Sequence, residues 1–209
     1  MEQCRVCGNV FSSSVQAHHL QDCIASVQGN LAYLPDRFKH WRTLDEYREK
    51  WDFLPYSLKH RVAEQLMSFD YLWTLQDWLN PNRTIAKSQK ILAIATIASI
   101  YEGILAAVVD TIITEKRLED KLFDQVRHKP HMGWRFEQLI SIARSADVYS
   151  QSWEAYLNRL REVRNWVHLN SKQKGELFVW IDAKSYQSLT NNLYKFHRIV
   201  EPHFPAVDN

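Results

Sequence analysis

The sequence predicts an all-α fold, a helical bundle preceded by a small zinc-binding knuckle, and three observations carry that prediction. Apolar residues recur at helical spacing over most of the chain beyond Thr43. Only 5 Gly and 6 Pro punctuate it, too few turn signals for a sandwich or barrel of short strands. All 3 cysteines (Cys4, Cys7 and Cys23) fall near the start, clustered as metal ligands are rather than spread as disulfide partners. The expected organisation is a finger over 1–26, a connector over 27–42 and a helical domain over 43–209.

A chain of 209 residues with 45% hydrophobic content holds one well-buried domain and a small appendage. Its 8 Trp and 9 Phe promise large interlocking core side chains. The 26 basic and 24 acidic residues nearly cancel, giving a formal charge of +2. That excludes a broad polybasic coat for nucleic acid but leaves room for a compact site gripping one phosphate. Met1-Glu2-Gln3-Cys4 has neither the basic flank nor the apolar run of a signal peptide. The apolar stretch Ile91 to Val109 is rich in Ala and interrupted by Thr96, Ser99 and Glu102, so it reads as a central bundle helix rather than a membrane span. A cytoplasmic protein with no membrane partner is expected.

In the knuckle, Cys4 and Cys7 enclose two residues, a spacing that lets both thiolates converge on one ion. Gly8 lets the turn close without a Cβ clash. His19 and Cys23 are four apart and share a helix face, so they complete a tetrahedral, structural Zn site. His18 is the alternative nitrogen ligand, although its spacing of five to Cys23 takes it off that face. Ser12, Ser13 and Ser14 offer N-caps for the short helix, and Phe11 a miniature core. The spacing from Cys4 to Cys23, ending His19-Leu20-x-x-Cys23, resembles the CCHC-type ubiquitin-binding fingers of eukaryotic DNA-repair proteins. That resemblance, confined to residues 4–23, implies a ββα finger ligated by Cys4, Cys7, His19 and Cys23. Cys-x-x-Cys-Gly with a His pair also occurs in HNH nucleases, but no Asn/His partner follows here on a second helix.

Gly29, Asn30, Pro35 and Asp36 break the connector. Thr43, with Glu46 three residues on, forms a capping box for a helix through Leu54. Pro55 opens the next helix, whose stripe of Leu58, Val62, Leu66, Phe69 and Trp73 runs toward Leu79 before Asn80-Pro81-Asn82 ends it. A long helix from about Thr84 to Thr114 is apolar nearly all round in its middle and is therefore central. Another, from about Gly133 to Ala146, carries Phe136, Leu139, Ile140, Ile142 and Ala143. His128-Lys129-Pro130-His131 between them reads as an exposed loop, since no carboxylate or cysteine nearby completes a metal site. A helix from about Ser150 to Leu169 has the stripe Trp153, Tyr156, Leu157, Leu160, Val163 and Val167. After Gly175 the run Leu177-Phe178-Val179-Trp180-Ile181 reads as a strand or extended segment. A last helix follows Asp182, with Tyr186, Leu189, Leu193, Phe196 and Val200 in helical register.

The most informative stretch is Leu160-Arg161-Glu162-Val163-Arg164-Asn165-Trp166-Val167-His168. On a helix Arg164 and His168 share a face and Arg161 joins them, all on one flank of the apolar stripe. These residue types suit RNA cleavage without a metal. An imidazole of pKa near ~6.5 can take the ribose 2′-hydroxyl proton or protonate the leaving oxygen. A guanidinium fork can hold the phosphate and stabilise the charge that builds on it.

The same stretch, Leu-Arg-x-x-Arg-Asn-x-Val-His, resembles the signature helix of HEPN domains. Ile100-Tyr101-Glu102-Gly103-Ile104-Leu105 and Phe136-Glu137-Gln138-Leu139-Ile140 are similar to the helices that precede it, so the likeness covers roughly residues 84–200. It implies a helical homodimer whose paired signature helices build a composite endoribonuclease site, as in toxin–antitoxin, CRISPR-linked and phage-defence systems. Carried across, Arg164 contacts phosphate, His168 transfers protons, Asn165 hydrogen-bonds beside them and Glu102 orients Arg164. The interval from Arg164 to His168 is shorter than is usual in the family, and Arg161 stands at the usual distance and fits the arginine's place as well. The rival expectation is a non-catalytic module that binds RNA or protein, with the finger recruiting a protein partner.

Overall fold

The computed structural model describes the backbone of residues 2–3 and 10–11, and residues 43–79, 83–115, 134–166 and 175–204, with side chains described outside 75–84 in those last segments. The chain divides into two compact units, Met1–Trp41 and Arg42–Asn209. In the first, β1 (Glu2–Gln3) pairs antiparallel with β2 (Val10–Phe11), Glu2 opposite Phe11 and Gln3 opposite Val10. The expected ligands Cys4, Cys7, His18, His19 and Cys23, and the connector, lie outside the described residues.

The second unit is a helical bundle of α1 (Leu44–Glu49), α2 (Tyr56–Leu79), α3 (Arg83–Thr114), α4 (Phe136–Ser145), α5 (Gln151–Trp166), α6 (Gly175–Asp182) and α7 (Tyr186–Val200), closed by a 3-10 turn over Glu201–His203. α3 is the hub: it packs most extensively on α2 and α5, and also on α4, α6 and α7. Beyond Ile91 its buried residues come in adjacent pairs, Ala93-Ile94, Ile97-Ala98, Ile100-Tyr101, Ile104-Leu105, Val108-Val109 and Ile112-Ile113. Such pairs widen the apolar stripe so that several helices can cover it at once. Among the described residues α3 is the one helix long and apolar enough to cross a membrane, and more than half of that window is buried inside the bundle. Its composition is that of a core helix.

The partners of α3 follow the periodicity of the sequence. The stripe Leu58, Val62, Leu66, Phe69 and Trp73 of α2 is buried, as are Phe136, Leu139, Ile140, Ile142 and Ala143 of α4. From α5 and α7 come Leu157, Leu160, Val163, Leu189, Leu193, Phe196 and Val200. Aromatic rings fill the junction: Phe196 lies 4.8 Å from Tyr101 and 5.5 Å from Trp153, and Trp153 meets Tyr156 edge-on at 5.5 Å. Truncating one such ring to alanine costs roughly 3–5 kcal/mol in a close-packed core. Gly103 lets α2 approach α3, since a Cβ there would stand 3.3 Å from Leu58 Cδ1.

The caps explain where elements start, and they correct some expected bounds. Thr43 Oγ1 accepts from the Glu46 N–H and Glu46 Oε2 accepts from the Thr43 N–H, the capping box read from the sequence. The helix it opens stops at Glu49, and residues 50–54 turn into α2 instead of extending the helix to Leu54. α4 starts at Phe136 rather than near Gly133, and α5 spans Gln151–Trp166, with 167–174 outside the described residues. Asp182 ends α6, and Ser185 caps α7 by accepting from the Ser188 N–H at 3.1 Å.

The run Leu177–Ile181, read as a strand or extended segment, is helical instead. A strand would put Leu177, Val179 and Ile181 on one face. Here Leu177 and Ile181 are buried while Val179 is 71% exposed, a four-residue repeat that only a helix produces. Phe178 meets the Trp166 ring at 5.4 Å and Trp180 meets Tyr156 at 6.0 Å. Packing against α5 has overridden the strand preference of a β-branched and aromatic run.

α4 turns into α5 through a Schellman-type end. The Val148 N–H reaches Ala143 O at 3.0 Å, the Asp147 N–H reaches Arg144 O at 3.1 Å, and Asp147 adopts φ 52°. A short polar side chain tolerates this left-handed conformation, which is strained for a β-branched one. Asp147→Val is therefore expected to lower unfolding free energy by about 1–2 kcal/mol, although the side chain is exposed; urea denaturation beside Asp147→Gly, which escapes the penalty, isolates the backbone effect.

Candidate functional site

α5 presents its cationic flank to a cleft of ≈ 370 Å³ lined by Glu102, Arg135, Phe136, Glu137, Arg161, Arg164 and Asn165. Three helices build it. α3 supplies Glu102, the first turn of α4 and its cap supply Arg135, Phe136 and Glu137, and the last turns of α5 supply the rest. Leu160 and Val163 anchor α5 in the core. Arg161 and Arg164, each one position beyond an anchor, are thereby held at the edge of the packing face.

Glu102 is the acidic residue in the middle of the apolar helix, and its side chain is 20% exposed. Arg164 Nη1 donates to Glu102 Oε1 at 2.7 Å, bridging α5 to α3. Burial lifts the Glu102 carboxyl above the ordinary carboxylate range, and the charge and hydrogen bond of Arg164 draw it only part of the way back. Arg161 Nη1 donates to Glu137 Oε2 at 3.0 Å, bridging α5 to α4, while Arg161 Nε is buried without a hydrogen-bond partner. Both arginines thus reach across to a carboxylate on a neighbouring helix.

Arg135 differs from them. It caps α4 with extended backbone, its N–H donating to Gln138 Oε1 at 3.0 Å, and its exposed side chain lines the cleft. Among the described residues its guanidinium makes no ion pair, in contrast to Arg161 and Arg164. The lining therefore sets three guanidiniums against two carboxylates, a local positive excess in a protein of nearly balanced charge. An arrangement of this kind suits a small number of phosphates held by forked donors.

Of the residues picked out in the sequence, Glu102, Arg161, Arg164 and Asn165 converge on this cleft. His168 lies outside the described residues, as do Val167 and the pair His128 and His131. Sequence reasoning missed Arg135, and it missed that Glu137 would hold Arg161. The available signal was the position of Arg135 one residue before the apolar periodicity of α4 begins, where a side chain faces outward from a helix start. Among the described residues no group of His, Cys, Asp and Glu is arranged to hold a metal ion. Comparison with protein-family models, curated proteins and solved structures gave no match.

The raised pKa of Glu102 fixes the sign of a stability effect. A carboxyl that binds its proton more tightly when folded makes the folded state less stable as pH rises from its unfolded value through its folded one. Above that window the penalty is fully present; as pH falls back through it, the penalty disappears. Glu102→Gln mimics the protonated form and is expected to unfold at a slightly higher temperature than the parent near neutral pH, the gap closing as the pH drops into the carboxylate range. Arg164→Ala removes the partner of a half-buried carboxylate and is expected to destabilise by roughly 1–3 kcal/mol, toward the low end because the pair is partly solvated. Thermal melts across pH, with the double variant, check both signs.

Proposed function

We propose that this chain is a HEPN-type endoribonuclease, metal-independent in its chemistry, working as a cytoplasmic homodimer in bacterial defence or stress response. The convergence of Arg161, Arg164 and Asn165 with Glu102 on one open cleft supports the reading. Residues far apart in the chain meet there, and Arg161, Arg164 and Asn165 of the motif that suggested cleavage line it. In this reading Arg164 and Arg161 hold the scissile phosphate, Asn165 hydrogen-bonds beside it and Glu102 orients Arg164. His168, two residues beyond the described end of α5, takes the 2′-hydroxyl proton or delivers one to the leaving oxygen. A second copy of α5 supplies the other half of a composite site.

The finger belongs to the same proposal. Three thiolates and an imidazole, from Cys4, Cys7, Cys23 and His19, form a donor set suited to Zn. The antiparallel pairing of Glu2–Gln3 with Val10–Phe11 favours a ββα arrangement, because Cys4 and Cys7 belong to the segment joining the two strands. The ion would fold the finger, leaving it to dock a protein partner.

One observation favours the non-catalytic reading: Arg161 and Arg164 are both already ion-paired with glutamates. In that case the cleft is a polar lock between helices, and the bundle and finger are binding modules.

Cleavage assays on single-stranded RNA in buffer free of divalent cations separate the two readings. Arg164→Ala and His168→Ala are each expected to slow cleavage by about 10²-fold or more without dissociating the dimer in sedimentation. Cleavage that persists unchanged in both, or none by the parent chain, refutes the nuclease. For the finger, the purified chain is expected to carry one zinc per protomer by elemental analysis. Cys7→Ser should lose it, whereas full zinc content in that variant removes Cys7 from the ligand set.

A further inference from the structure

Both cations that α5 offers to the cleft are engaged. Arg164 is held by Glu102 at 2.7 Å and Arg161 by Glu137 at 3.0 Å. An arriving phosphate therefore meets two arginines that are already ion-paired and one that is not. Arg135, on the α4 side of the same cleft, is exposed and makes no ion pair among the described residues.

We infer that the cleft takes up RNA phosphate by exchange: Arg135 receives the incoming anion, and Arg164 follows by giving up the Glu102 carboxylate for a phosphate oxygen. This inference rests on the reading of the cleft as a phosphodiester site. The exchange is selective between the two glutamates for geometric reasons. Glu137 is 68% exposed, so water solvates its carboxylate whether or not Arg161 stays. Glu102 is 20% exposed on the hub helix and has much less of that recourse. Once Arg164 turns to phosphate, the half-buried carboxylate loses the neighbour that favoured its charged form.

A proton from solvent is the simplest compensation. It neutralises Glu102, and the cleft then holds guanidiniums against phosphate without a stranded anion. Among the described residues the charged groups lining the cleft with Glu102 are Arg161 and Arg164 on α5, and Arg135 and Glu137 at the start of α4, with none from α2, α6 or α7. Glu137 is solvent-exposed whereas Glu102 is largely enclosed, which points to Glu102 as the proton acceptor. Binding is consequently linked to proton uptake and strengthens as pH falls. Glu102 acts here as a positioning and gating residue, and its removal frees Arg164 in advance.

The test uses full-length chain carrying His168→Ala, so that no imidazole at that position cleaves or titrates. The probe is a fluorescein-labelled single-stranded RNA dodecamer, followed by anisotropy from mildly acidic to mildly alkaline pH at fixed ionic strength. Adding Glu102→Gln is expected to tighten binding by about 3–10-fold on the alkaline side and to flatten the pH dependence. Arg135→Ala should weaken binding at every pH. Calorimetry in two buffers of different ionisation enthalpy should show net proton uptake in the His168→Ala chain and little after Glu102→Gln. If Arg164→Ala weakens binding but Glu102→Gln changes neither affinity nor proton uptake, the exchange is refuted while the phosphate site stands. If neither Arg135→Ala nor Arg164→Ala alters binding, the phosphate site itself fails and the exchange with it.

Discussion

A carboxylate placed in the middle of an apolar hub helix must find a cation, and much of the arrangement described here depends on how Glu102 does so. α3 is covered by α2, α4, α5, α6 and α7, so an ionised group on it is largely removed from water. Arg164 answers from α5 at 2.7 Å. That contact ties the cationic flank of α5 to the hub, and with it the position of Arg161 and Asn165 at the cleft. The pair stands at the margin of the apolar core, its two side chains 34% and 20% exposed, beside the cleft that Glu102 and Arg164 both line.

The cleft combines two opposed demands. Arginines at a packing edge need counter-charges to be tolerated in the folded protein, and the same arginines need to be available to a ligand. The glutamates meet the first demand from two different helices, one from half-buried α3 and one from the exposed start of α4. The difference in their exposure separates a carboxylate that water can look after from one that it reaches much less. Arg135, contributed by the cap of α4, gives the cleft a cation outside this pairing.

Much of the bundle was legible in the sequence because its helices bury clean stripes. Thr43 and Glu46 announced their capping box, and the five apolar residues from Leu58 to Trp73 announced the face of α2. The central place of α3 followed from apolarity on nearly all sides. α6 was misread because five consecutive β-branched, aromatic and aliphatic residues look extended locally. Only the burial of Leu177 and Ile181 against α3 and α5, with Val179 in solvent, reveals the helical period. At the site, Arg164 and Arg161 were legible from spacing on one helix, whereas Asn165 and Glu102 were brought in only by the resemblance of the motif and its preceding helix to a known family. Arg135 was not legible, since its place just before the apolar periodicity of α4 marks an outward-facing side chain but not the docking of that helix start beside α5, which is a tertiary fact. His168 and the Cys4, Cys7, His19 and Cys23 set lie outside the described residues.

The most direct test of the central claim is to watch the arginines themselves. In a chain bearing His168→Ala, the side-chain Nε–H resonances of Arg135, Arg161 and Arg164 can be assigned by single substitution and followed while single-stranded RNA is titrated in. The account expects these resonances to shift together and saturably, ahead of arginines elsewhere such as Arg159 and Arg198. Saturable shifts at other arginines, with Arg135 and Arg164 unmoved, would contradict it.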